Sequence, residues 1–340
     1  MAANLSDVAR LAGVSPTLVS GYVNRRQGVR MSESTRLRIE NALRELDYHP
    51  NRFARKLRTG RSCLIGVCGL SFNEVGSAER RILAQELEKR GYRMIQGTSS
   101  GDEKQLREEA LELLSHGCDG LILRLHPISG AFADFVKGLS CPAVCISNGQ
   151  HPESLSGSVI SYDNASGIHA AMHHLHRLGH KDILLAAKFW INFPNSLRFA
   201  AFRQYPGFSQ ERICCFNSLE EITPEKVLEI RRSQPQCTAW LCLNDMTALK
   251  VIQSCQKAGI RIPQELSIIG SDDCEAAKAA TPALTSIHQP CEEVCQAALT
   301  LLFNKLHNRK ESFNAVLPAT LTCRESCSVP DLNTIKANII

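Results

Sequence analysis

From residue 63 onward, short continuous apolar runs alternate with stretches of helical periodicity, and this alternation constrains the fold most strongly. Continuous apolar strands separated by helices are typical of a parallel sheet covered on both faces. Two such units in tandem predict a bilobed body with a cleft. The predicted strands are Leu64–Gly69, Met94–Gly97, Gly120–Leu123, Ala143–Ile146 and Val159–Ser161 in the first unit, and Ile183–Ala187, Ile213–Phe216, Ala239–Leu243 and Leu266–Ile269 in the second.

The segment that precedes this body predicts two short helices around a tight turn. Ser6 is placed to cap the first helix, Gly13 suits the turn, and Ser15 followed by Pro16 begins the second helix. A third helix follows from Ser32, with apolar residues at helical spacing. The apolar seam is predicted from Val8, Ala9, Leu11, Val14 and Val19, together with Ile39, Ala42, Leu43 and Leu46 of the third helix.

Charge is distributed very unevenly between this segment and the body. Residues 1–62 contain eleven Arg and one Lys against five acidic residues, a balance of +7 in a chain of +5, so the other 278 residues carry −2. A basic helix-turn-helix segment predicts binding to a polyanion, because Lys and Arg replace the counterions condensed on DNA phosphates. A helical hairpin without a DNA role is the alternative.

Four motifs in the basic segment resemble those of the LacI/GalR family of bacterial transcription repressors. They are D-V-A-x-x-A-G-V-S (Asp7–Ser15), V-S-x-x-x-N (Val19–Asn24), Y-x-P-N (Tyr48–Asn51) and A-x-x-L (Ala54–Leu57), and the similarity extends from about residue 5 to residue 328. The resemblance implies a helix-turn-helix head, a hinge helix and a bilobed, periplasmic-binding-protein-like body of two Rossmann-like subdomains. It also implies a homodimer, a pseudo-palindromic double-stranded DNA operator and a small-molecule effector.

In that family the hinge segment becomes a helix in the DNA minor groove, where a leucine wedges open a base step, and Leu57 matches that leucine. A leucine flanked by Arg55, Lys56 and Arg58 suits an apolar wedge between phosphate contacts. A flexible charged linker is the alternative. The residues predicted to bind DNA are Ser6, Ser15, Thr17, Ser20, Tyr22, Asn24, Asn51, Ala54, Leu57 and Arg58.

The recognition helix departs from the best-known family members. Thr17 is the predicted base reader, whereas Ser20 and Asn24 are predicted to face phosphates. Tyr22 fits either the core or a phosphate contact. Gly21 stands where many members have Arg or His, and it offers no side chain to a base edge, which predicts thin readout in the major groove.

Ligands of open α/β sheets bind beyond the carboxyl ends of the strands, which predicts the effector site. The residues predicted there are Phe72, Arg124, Ser147, Lys188, Asn244 and Asp272, and the resemblance adds Arg198 and marks Asn244 and Asp272 with it. The alternative is that Asp245 and Asp273 cap the following helices and that Arg198 is a surface charge.

The predicted cleft differs in charge from that of the sugar-binding family members. Ser147 replaces an aspartate, Lys188 replaces a glycine, and Arg124 ends the third strand. These changes predict a more positive cleft and an anionic effector, such as a sugar acid or a phosphorylated sugar, because Arg binds carboxylate and phosphate in a bidentate manner.

Other functional classes lack a site in the sequence. The fifteen cysteines include no C-x-x-C pair and suit buried thiols in a reducing cytoplasm. His169, His173, His176 and His180 share one predicted helix, but no H-E-x-x-H motif is present, so solvated or packed histidines are expected rather than a metal site. No hydrolase elbow, Walker loop or dinucleotide-binding motif occurs, and no apolar run could span a membrane. We therefore expect no catalytic residues, metal or cofactor.

The predicted organisation is a helix-turn-helix domain (1–49), a hinge helix (50–62), an effector-binding and dimerisation core (63–328) and a tail (329–340). The core divides into an N-subdomain (63–161 and 290–317) and a C-subdomain (162–289 and 318–328). Pro206–Gly207 is expected to end the helix after Arg198 early. A solute-binding protein of the same bilobed fold is the alternative function, but it would require a secretory leader, and residues 1–25 have no hydrophobic segment of that kind.

Overall fold

The computed structural model describes residues 3–23, 28–48, 60–98, 102–125, 127–148, 151–188, 197–206, 209–309 and 313–331. The chain divides into two compact units: residues 1–62, the head, and residues 63–340, the body. Each unit has hydrophobic clusters of its own. Within the described ranges, no helix combines the length and the apolar composition needed to cross a bilayer.

The head contains helices α1 (Leu5–Ala12), α2 (Pro16–Val23) and α3 (Glu33–Glu45). Asn4, and not the predicted Ser6, is the N-cap of α1. Its Oδ1 accepts the backbone N–H groups of Ser6 and Asp7 at 2.8 and 3.1 Å, and the Asp7 carboxylate accepts the N–H of Asn4 at 3.0 Å. This reciprocal capping box needs an acidic side chain three residues after the cap, a spacing that Asn4 has and Ser6 lacks.

The other predicted ends of the head helices are confirmed. Gly13 terminates α1 with φ of +63°, where a side chain would be strained. Ser15 Oγ accepts the N–H of Leu18 at 3.3 Å, and Ser32 Oγ accepts that of Thr35 at 3.2 Å. The head core is formed by Val8, Ala9, Ala12, Val19, Ile39 and Ala42. Leu11 is 46% exposed, so its predicted place in the seam is wrong; Ala12 takes the inward position.

The first sheet of the body has the strand order β11-β5-β4-β3-β1-β2, with parallel pairing throughout. Its strands are β1 (Leu64–Cys68), β2 (Arg93–Gln96), β3 (Gly120–Arg124), β4 (Ala143–Ser147), β5 (Val159–Asp163) and β11 (Ala315–Pro318). Helices α4 (Glu74–Lys89) and α12 (Cys291–Leu306) cover one face, and α5 (Glu103–Ser115) and α6 (Gly130–Lys137) cover the other. Burial on both faces explains why these strands are continuously apolar.

The second sheet has the order β12-β10-β9-β8-β6-β7, in which only β12 is antiparallel to its neighbour among the described pairs. Its strands are β6 (Ile183–Lys188), β7 (Ile213–Phe216), β8 (Ala239–Cys242), β9 (Ser267–Asp272), β10 (Thr285–His288) and β12 (Thr320–Thr322). Helices α7 (Asn164–Arg177) and α8 (Leu197–Arg203) cover one face, and α9 (Pro224–Ser233), α10 (Asp245–Lys257) and α11 (Glu275–Ala279) cover the other.

The chain passes between the two sheets after Asp163, after His288, and between Pro318 and Thr320. The nine predicted strands are all present, with ends shifted by at most three residues. Strands β10, β11 and β12 were not predicted, because they are short and contain polar residues or proline instead of a continuous apolar run. Helix α8 ends at Arg203, shortly before Pro206, as expected.

Candidate functional site

The beginning of α2 presents hydroxyl groups to solvent on the head. Ser15, which caps this helix, and Thr17 in its first turn are both exposed, and so is Ser6 on α1. Exposed hydroxyls and backbone N–H groups at a helix N-terminus suit contacts with phosphate or base edges. The predicted DNA-binding residues Asn24, Asn51, Ala54, Leu57 and Arg58 lie outside the described residues.

At Ser20 and Gly21 of α2 the structure differs from the prediction. Ser20 is 5% exposed, which is at odds with a phosphate-facing role. A Cβ atom added to Gly21 would lie 2.8 Å from Cγ2 of Val29, so this glycine packs against the head interior rather than leaving a gap toward a base. The Tyr22 hydroxyl donates to the Glu40 carboxylate, which ties α2 to α3. The sequence alone could not reveal these contacts, because they depend on how α2 packs.

In the body, the predicted effector residues Arg198 and Asp272 approach each other at the carboxyl ends of β8 and β9. Arg198 Nε donates to Asn164 Oδ1 at 3.1 Å, and its Nη1 donates to the carbonyl of Leu243 at 2.8 Å. Its Nη2 lies 3.8 Å from Oδ1 of Asp272. Arg198 is thus held from two sides and directed at a carboxylate, which excludes the alternative of a free surface charge.

Asn244 is the N-cap of α10, where its Oδ1 accepts the N–H of Thr247 at 2.7 Å. The alternative prediction, in which Asp245 caps this helix, is therefore wrong. Asp245 is fully buried and accepts the backbone N–H of Cys274 at 2.8 Å and the hydroxyl of Ser286 at 2.5 Å. It connects α10 with the segments that follow β9 and begin β10. The Asn244 oxygen is occupied by this cap, and the residue directly follows Leu243, whose carbonyl accepts from Arg198.

Asp273 also does not cap a helix. Its carboxylate accepts from Arg324, from His288 Nδ1 at 3.0 Å and from Thr322 Oγ1 at 3.3 Å, so it joins the end of β9 to β10 and to the β12 segment. Asp272 and Asp273 both have positive φ, +119° and +53°. This backbone conformation directs two successive carboxylates to different neighbours, and strain of this kind is concentrated at functional sites.

Burial raises the pKa of Asp272 to about 7, and the charges of Asp245 and Glu74 act in the same direction. The positive charges of Arg198 and Arg124 oppose this rise. Burial also lowers the pKa of Arg198. Glu74 and Arg124 belong to the first sheet of the body and Asp272 to the second, so charges of the first sheet act on a carboxylate of the second.

Arg124 is not the unpaired cation that the sequence predicts. It is 5% exposed, and its Nε donates to Glu79 Oε1 at 2.9 Å. The Tyr162 hydroxyl donates to the same oxygen at 2.7 Å, and the guanidinium lies 5.8 Å from the centre of the Tyr162 ring. Arg124 Nη2 donates to Asn148 Oδ1 at 3.2 Å. Glu79 balances the charge of Arg124, so the predicted gain in positive charge is wrong at this residue.

The remaining predicted effector residues differ in accessibility. Phe72 is 68% exposed after β1, with the Arg80 guanidinium 5.6 Å from its ring centre. Ser147 is fully buried at the end of β4. The Lys188 side chain lies outside the described residues, although its backbone ends β6. Sequence reasoning missed Glu79, Asn164 and Tyr162, because none stands at a predicted strand end that it considered; Tyr162 lies in β5 beyond the predicted limit of that strand.

Of the histidines of α7, His169 and His176 pack on Tyr205 and His173 is exposed, whereas His180 lies beyond the end of this helix at Arg177. No cluster of potential metal ligands occurs in the part of the chain that the structure describes. His169 Nδ1 lies 3.2 Å from the Tyr205 hydroxyl, and His176 stacks on the Tyr205 ring at 5.8 Å. His180 is 1% exposed between Thr238 and the carbonyl of Ser328, at 2.7 and 2.9 Å. Burial lowers its pKa to about 4.

All fifteen cysteines are free. Most are buried or half-buried, and burial raises the pKa of Cys145 to about 12 and that of Cys141 to about 11. A thiol with a raised pKa is a poor nucleophile and a poor metal ligand. Their environment suits small apolar side chains.

Two family models match the chain. Residues 4–51 match bacterial regulatory proteins of the lacI family, and residues 172–327 match the periplasmic binding protein-like domain. The sucrose operon repressor of Streptococcus mutans is 30% identical over 329 residues, covering 96% of this chain and 100% of that protein. The ribose operon repressor of Haemophilus influenzae is 30% identical over 335 residues, covering 95% and 98%.

A solved structure of the lac repressor dimer bound to operator and the anti-inducer ONPF has a TM-score of 0.77 and 24% identity, covering 96% of this chain and 100% of that one. This similarity concerns the fold. The two family models, the identity to repressors along nearly the whole chain and the helix-turn-helix head joined to two parallel-sheet units agree. The chain therefore belongs to the lacI family of bacterial regulatory proteins, non-enzymatic DNA-binding repressors with a periplasmic-binding-protein-like effector domain.

Proposed function

We propose that this protein is a homodimeric repressor of the bacterial cytoplasm that binds a pseudo-palindromic operator and releases or retains it according to a small effector bound in the body cleft. The observation that carries the effector site is the approach of Arg198 to Asp272 at the carboxyl ends of β8 and β9. A donor and an acceptor are fixed 3.8 Å apart there, too far for a direct hydrogen bond. A ligand oxygen can be hydrogen-bonded by both groups.

We propose a neutral, hydroxyl-rich effector of the sugar class rather than the anion predicted from the sequence. Each described arginine of the site faces a carboxylate: Arg124 faces Glu79, and Arg198 faces Asp272. A hydroxyl can accept from Arg198 and donate to Asp272, whereas an anion would be repelled by Asp272 when it is ionised. The exposed ring of Phe72 supplies an apolar surface of the kind that lines ligand pockets.

The names of related proteins agree with this class. The two relatives at 30% identity are named as sucrose and ribose operon repressors, and a 28% identical relative from Aliivibrio fischeri is named as the HTH-type transcriptional repressor PurR. Solved structures of similar fold are described with cellobiose and with ribose. A purine is the second outcome that the ligand experiment below separates from a sugar.

The effector proposal is tested by isothermal titration calorimetry on the full chain. The probes are matched pairs: D-glucose with D-glucuronate, D-galactose with D-galacturonate, and D-ribose with D-ribose 5-phosphate, with sucrose and hypoxanthine added. Binding of a neutral member that is lost in Arg198→Met and retained in the surface variant Arg203→Met supports the proposal. Binding of acids alone, or binding that ignores Arg198, contradicts it.

For DNA, we propose that Ser6, Ser15 and Thr17 at the exposed helix starts contact the operator, and that residues 50–62 act as a hinge helix with Leu57 in the minor groove. The buried Ser20 contributes through packing. Duplexes selected from a random library supply the operator, and fluorescence anisotropy of the full chain then gives affinity and stoichiometry at several salt concentrations. A steep loss of affinity with salt and two chains per duplex are expected. Affinity that ignores salt would favour the solute-binding alternative.

A further inference from the structure

We propose that Glu79, a buried residue of α4, sets the charge preference of the effector site by balancing Arg124. This inference rests on the proposed effector site and goes beyond it, because it assigns the discrimination between neutral and acidic ligands to a residue set back from the cleft. Glu79 acts through Arg124 and is therefore a positioning residue.

The geometry fixes Glu79 as the partner of Arg124. Glu79 is 0% exposed, and its Oε1 accepts from both Arg124 Nε and the Tyr162 hydroxyl, at 2.9 and 2.7 Å. Its Oε2 also lies 2.8 Å from Arg124 Nε but makes no hydrogen bond within the described part of the chain. A buried carboxylate in this position is stable only beside a cation, and here the cation is Arg124.

Arg124 is held in one orientation by three contacts. Its Nε donates to Glu79, its Nη2 donates to Asn148, and its guanidinium lies against the Tyr162 ring. Among the residues that the structure describes, Nη1 has no acceptor. The guanidinium can therefore still donate a hydrogen bond from Nη1, although the Glu79 carboxylate already balances its charge.

The charge of Arg124 acts on the effector residues of the other sheet unit. It opposes the burial that raises the pKa of Asp272, and it adds to the burial that lowers the pKa of Arg198. A change in the net charge of the Glu79–Arg124 pair therefore changes the electrostatic potential at Arg198 and Asp272. With Glu79 ionised, the Glu79–Arg124 pair has no net charge, so an uncharged hydroxyl group on the ligand is sufficient for binding. Without that charge, Arg124 would need an anion from elsewhere.

This reasoning predicts a change of selectivity in Glu79→Gln. Glutamine has the same shape and can still accept from Tyr162, but it leaves the Arg124 charge uncompensated, and arginine does not lose its proton. A carboxylate or phosphate on the ligand would supply the missing negative charge. We expect the affinity ratio of acid to neutral within each matched sugar pair to rise by roughly 10-fold or more.

Glu265→Gln is the matched control. Glu265 is also a buried carboxylate, 4% exposed, with Arg261 Nε at 2.8 Å and Arg231 Nη1 at 3.8 Å. It precedes β9, whereas the effector residues lie at the carboxyl end of that strand. Its substitution changes the same chemical group in a similar pairing, far along the strand from the site, and should leave the acid-to-neutral ratio unchanged.

The experiment measures calorimetric Kd values for the three matched pairs in wild type, E79Q, E265Q and the double variant E79Q/R124M, with circular dichroism to verify folding. E79Q should gain affinity for the acid, and the double variant, in which both charges are absent, should lose that gain. Thermal unfolding with inorganic phosphate is the second readout: phosphate should stabilise E79Q more than wild type. This readout requires no sugar to bind.

The outcomes separate the two proposals. If wild type binds a neutral sugar and E79Q keeps the same acid-to-neutral ratio, the role of Glu79 is wrong while the effector site stands. If no sugar binds wild type, the proposed effector class is wrong, and the phosphate readout still decides about Glu79. An equal gain of acid affinity in E265Q would also overturn the inference, since it would show a general effect of charge. Should E79Q not fold, an unchanged ratio in R124M would overturn it, because removal of Arg124 leaves the Glu79 charge uncompensated and must lower the affinity for the acid relative to the neutral sugar.

Discussion

Arg198 Nη2 lies 3.8 Å from Oδ1 of Asp272, close enough for attraction between charges and too far for a hydrogen bond. Arg198 is held by Asn164 and by the carbonyl of Leu243, and Asp272 has a backbone φ of +119°. The two groups thus form a charge pair without a direct hydrogen bond, and a ligand oxygen that lies beside the pair can accept from Arg198 and donate to Asp272.

Substitution of Asp272 by asparagine should weaken effector binding. The amide keeps the shape but loses the charge that strengthens a hydrogen bond, so we expect a loss of about 1.5–3 kcal/mol, or roughly 10- to 150-fold in Kd. Asp134→Asn, an exposed aspartate on α6, is the matched control and should bind as wild type. Calorimetry with the effector identified from the sugar pairs measures both. Equal affinity of D272N and wild type would exclude Asp272 from the site.

The same variant should alter the dependence of stability on pH. Burial raises the pKa of Asp272 from 3.8 to about 7 in the folded chain. Between pH 4 and 7 the folded state therefore holds more protons than the unfolded state, so this group lowers the free energy of unfolding as pH rises, by at most about 4 kcal/mol. D272N lacks this loss and should be more stable relative to wild type at pH 8 than at pH 5. Urea unfolding at both pH values measures the difference; an equal difference at both would contradict the raised pKa.

His180 should produce a pH dependence of the opposite sign. Its ring nitrogens lie 2.7 Å from Thr238 Oγ1 and 2.9 Å from the carbonyl of Ser328, so the neutral ring can donate to the carbonyl and accept from the hydroxyl. Burial lowers its pKa from 6.5 to about 4, so the unfolded state binds more protons between these values. The free energy of unfolding should fall as pH drops from 6.5 to 4, by at most about 3 kcal/mol.

His180→Gln should be less sensitive to acid over this range, and His173→Gln, an exposed neighbour on α7, should behave as wild type. Urea unfolding from pH 7 to pH 4 distinguishes the two variants. A wild-type acid sensitivity that persists unchanged in H180Q would show that His180 is not its source.

Gly270 should tolerate no side chain. A Cβ atom there would lie 2.2 Å from Oδ1 of Asp245 and 2.8 Å from Cδ2 of Leu284. Because Asp245 is fixed by Cys274 and Ser286, it cannot move away without breaking buried hydrogen bonds. We expect Gly270→Ala to lower the free energy of unfolding by about 1–3 kcal/mol, or more if Asp245 loses a bond. Gly130→Ala at the start of α6 meets no atom within 4 Å and should be neutral or slightly stabilising. Similar denaturation midpoints for the two variants would contradict the tight packing.

On DNA, Leu57 and Arg58 should have separable effects. Leu57→Ala should weaken operator binding and reduce DNA bending with little change in its salt dependence, because the wedge is apolar. Arg58→Ala should lower the slope of log affinity against log salt by about 1, the expected loss for one phosphate contact. Anisotropy and gel-shift bending assays measure these effects. A loss confined to thermal stability in L57A would refute the wedge.

The local chemistry of the sequence was sufficient for the frame of this protein. Apolar runs predicted nine strands, because a strand buried on both faces must be apolar along its whole length. Gly13, Ser15 and Ser32 marked helix ends through effects that act within a few residues. The motifs of the basic segment predicted the family, the end of β9 predicted Asp272, and the family resemblance added Arg198, which lies 3.8 Å from it.

What the sequence could not provide depends on contacts between distant residues. The sequence alone predicts Arg124 to be a free cation, but the fold places Glu79, which lies forty-five residues earlier in the chain, against it. The sequence alone allows Asp245 to be a helix cap, but in the fold β10 brings Ser286 to its carboxylate. Gly21 is predicted to be a missing base contact, but in the fold Val29 packs on it. The charge and hydrogen-bonding state of a buried group depend on the partners that enclose it, and only the tertiary structure brings those partners together.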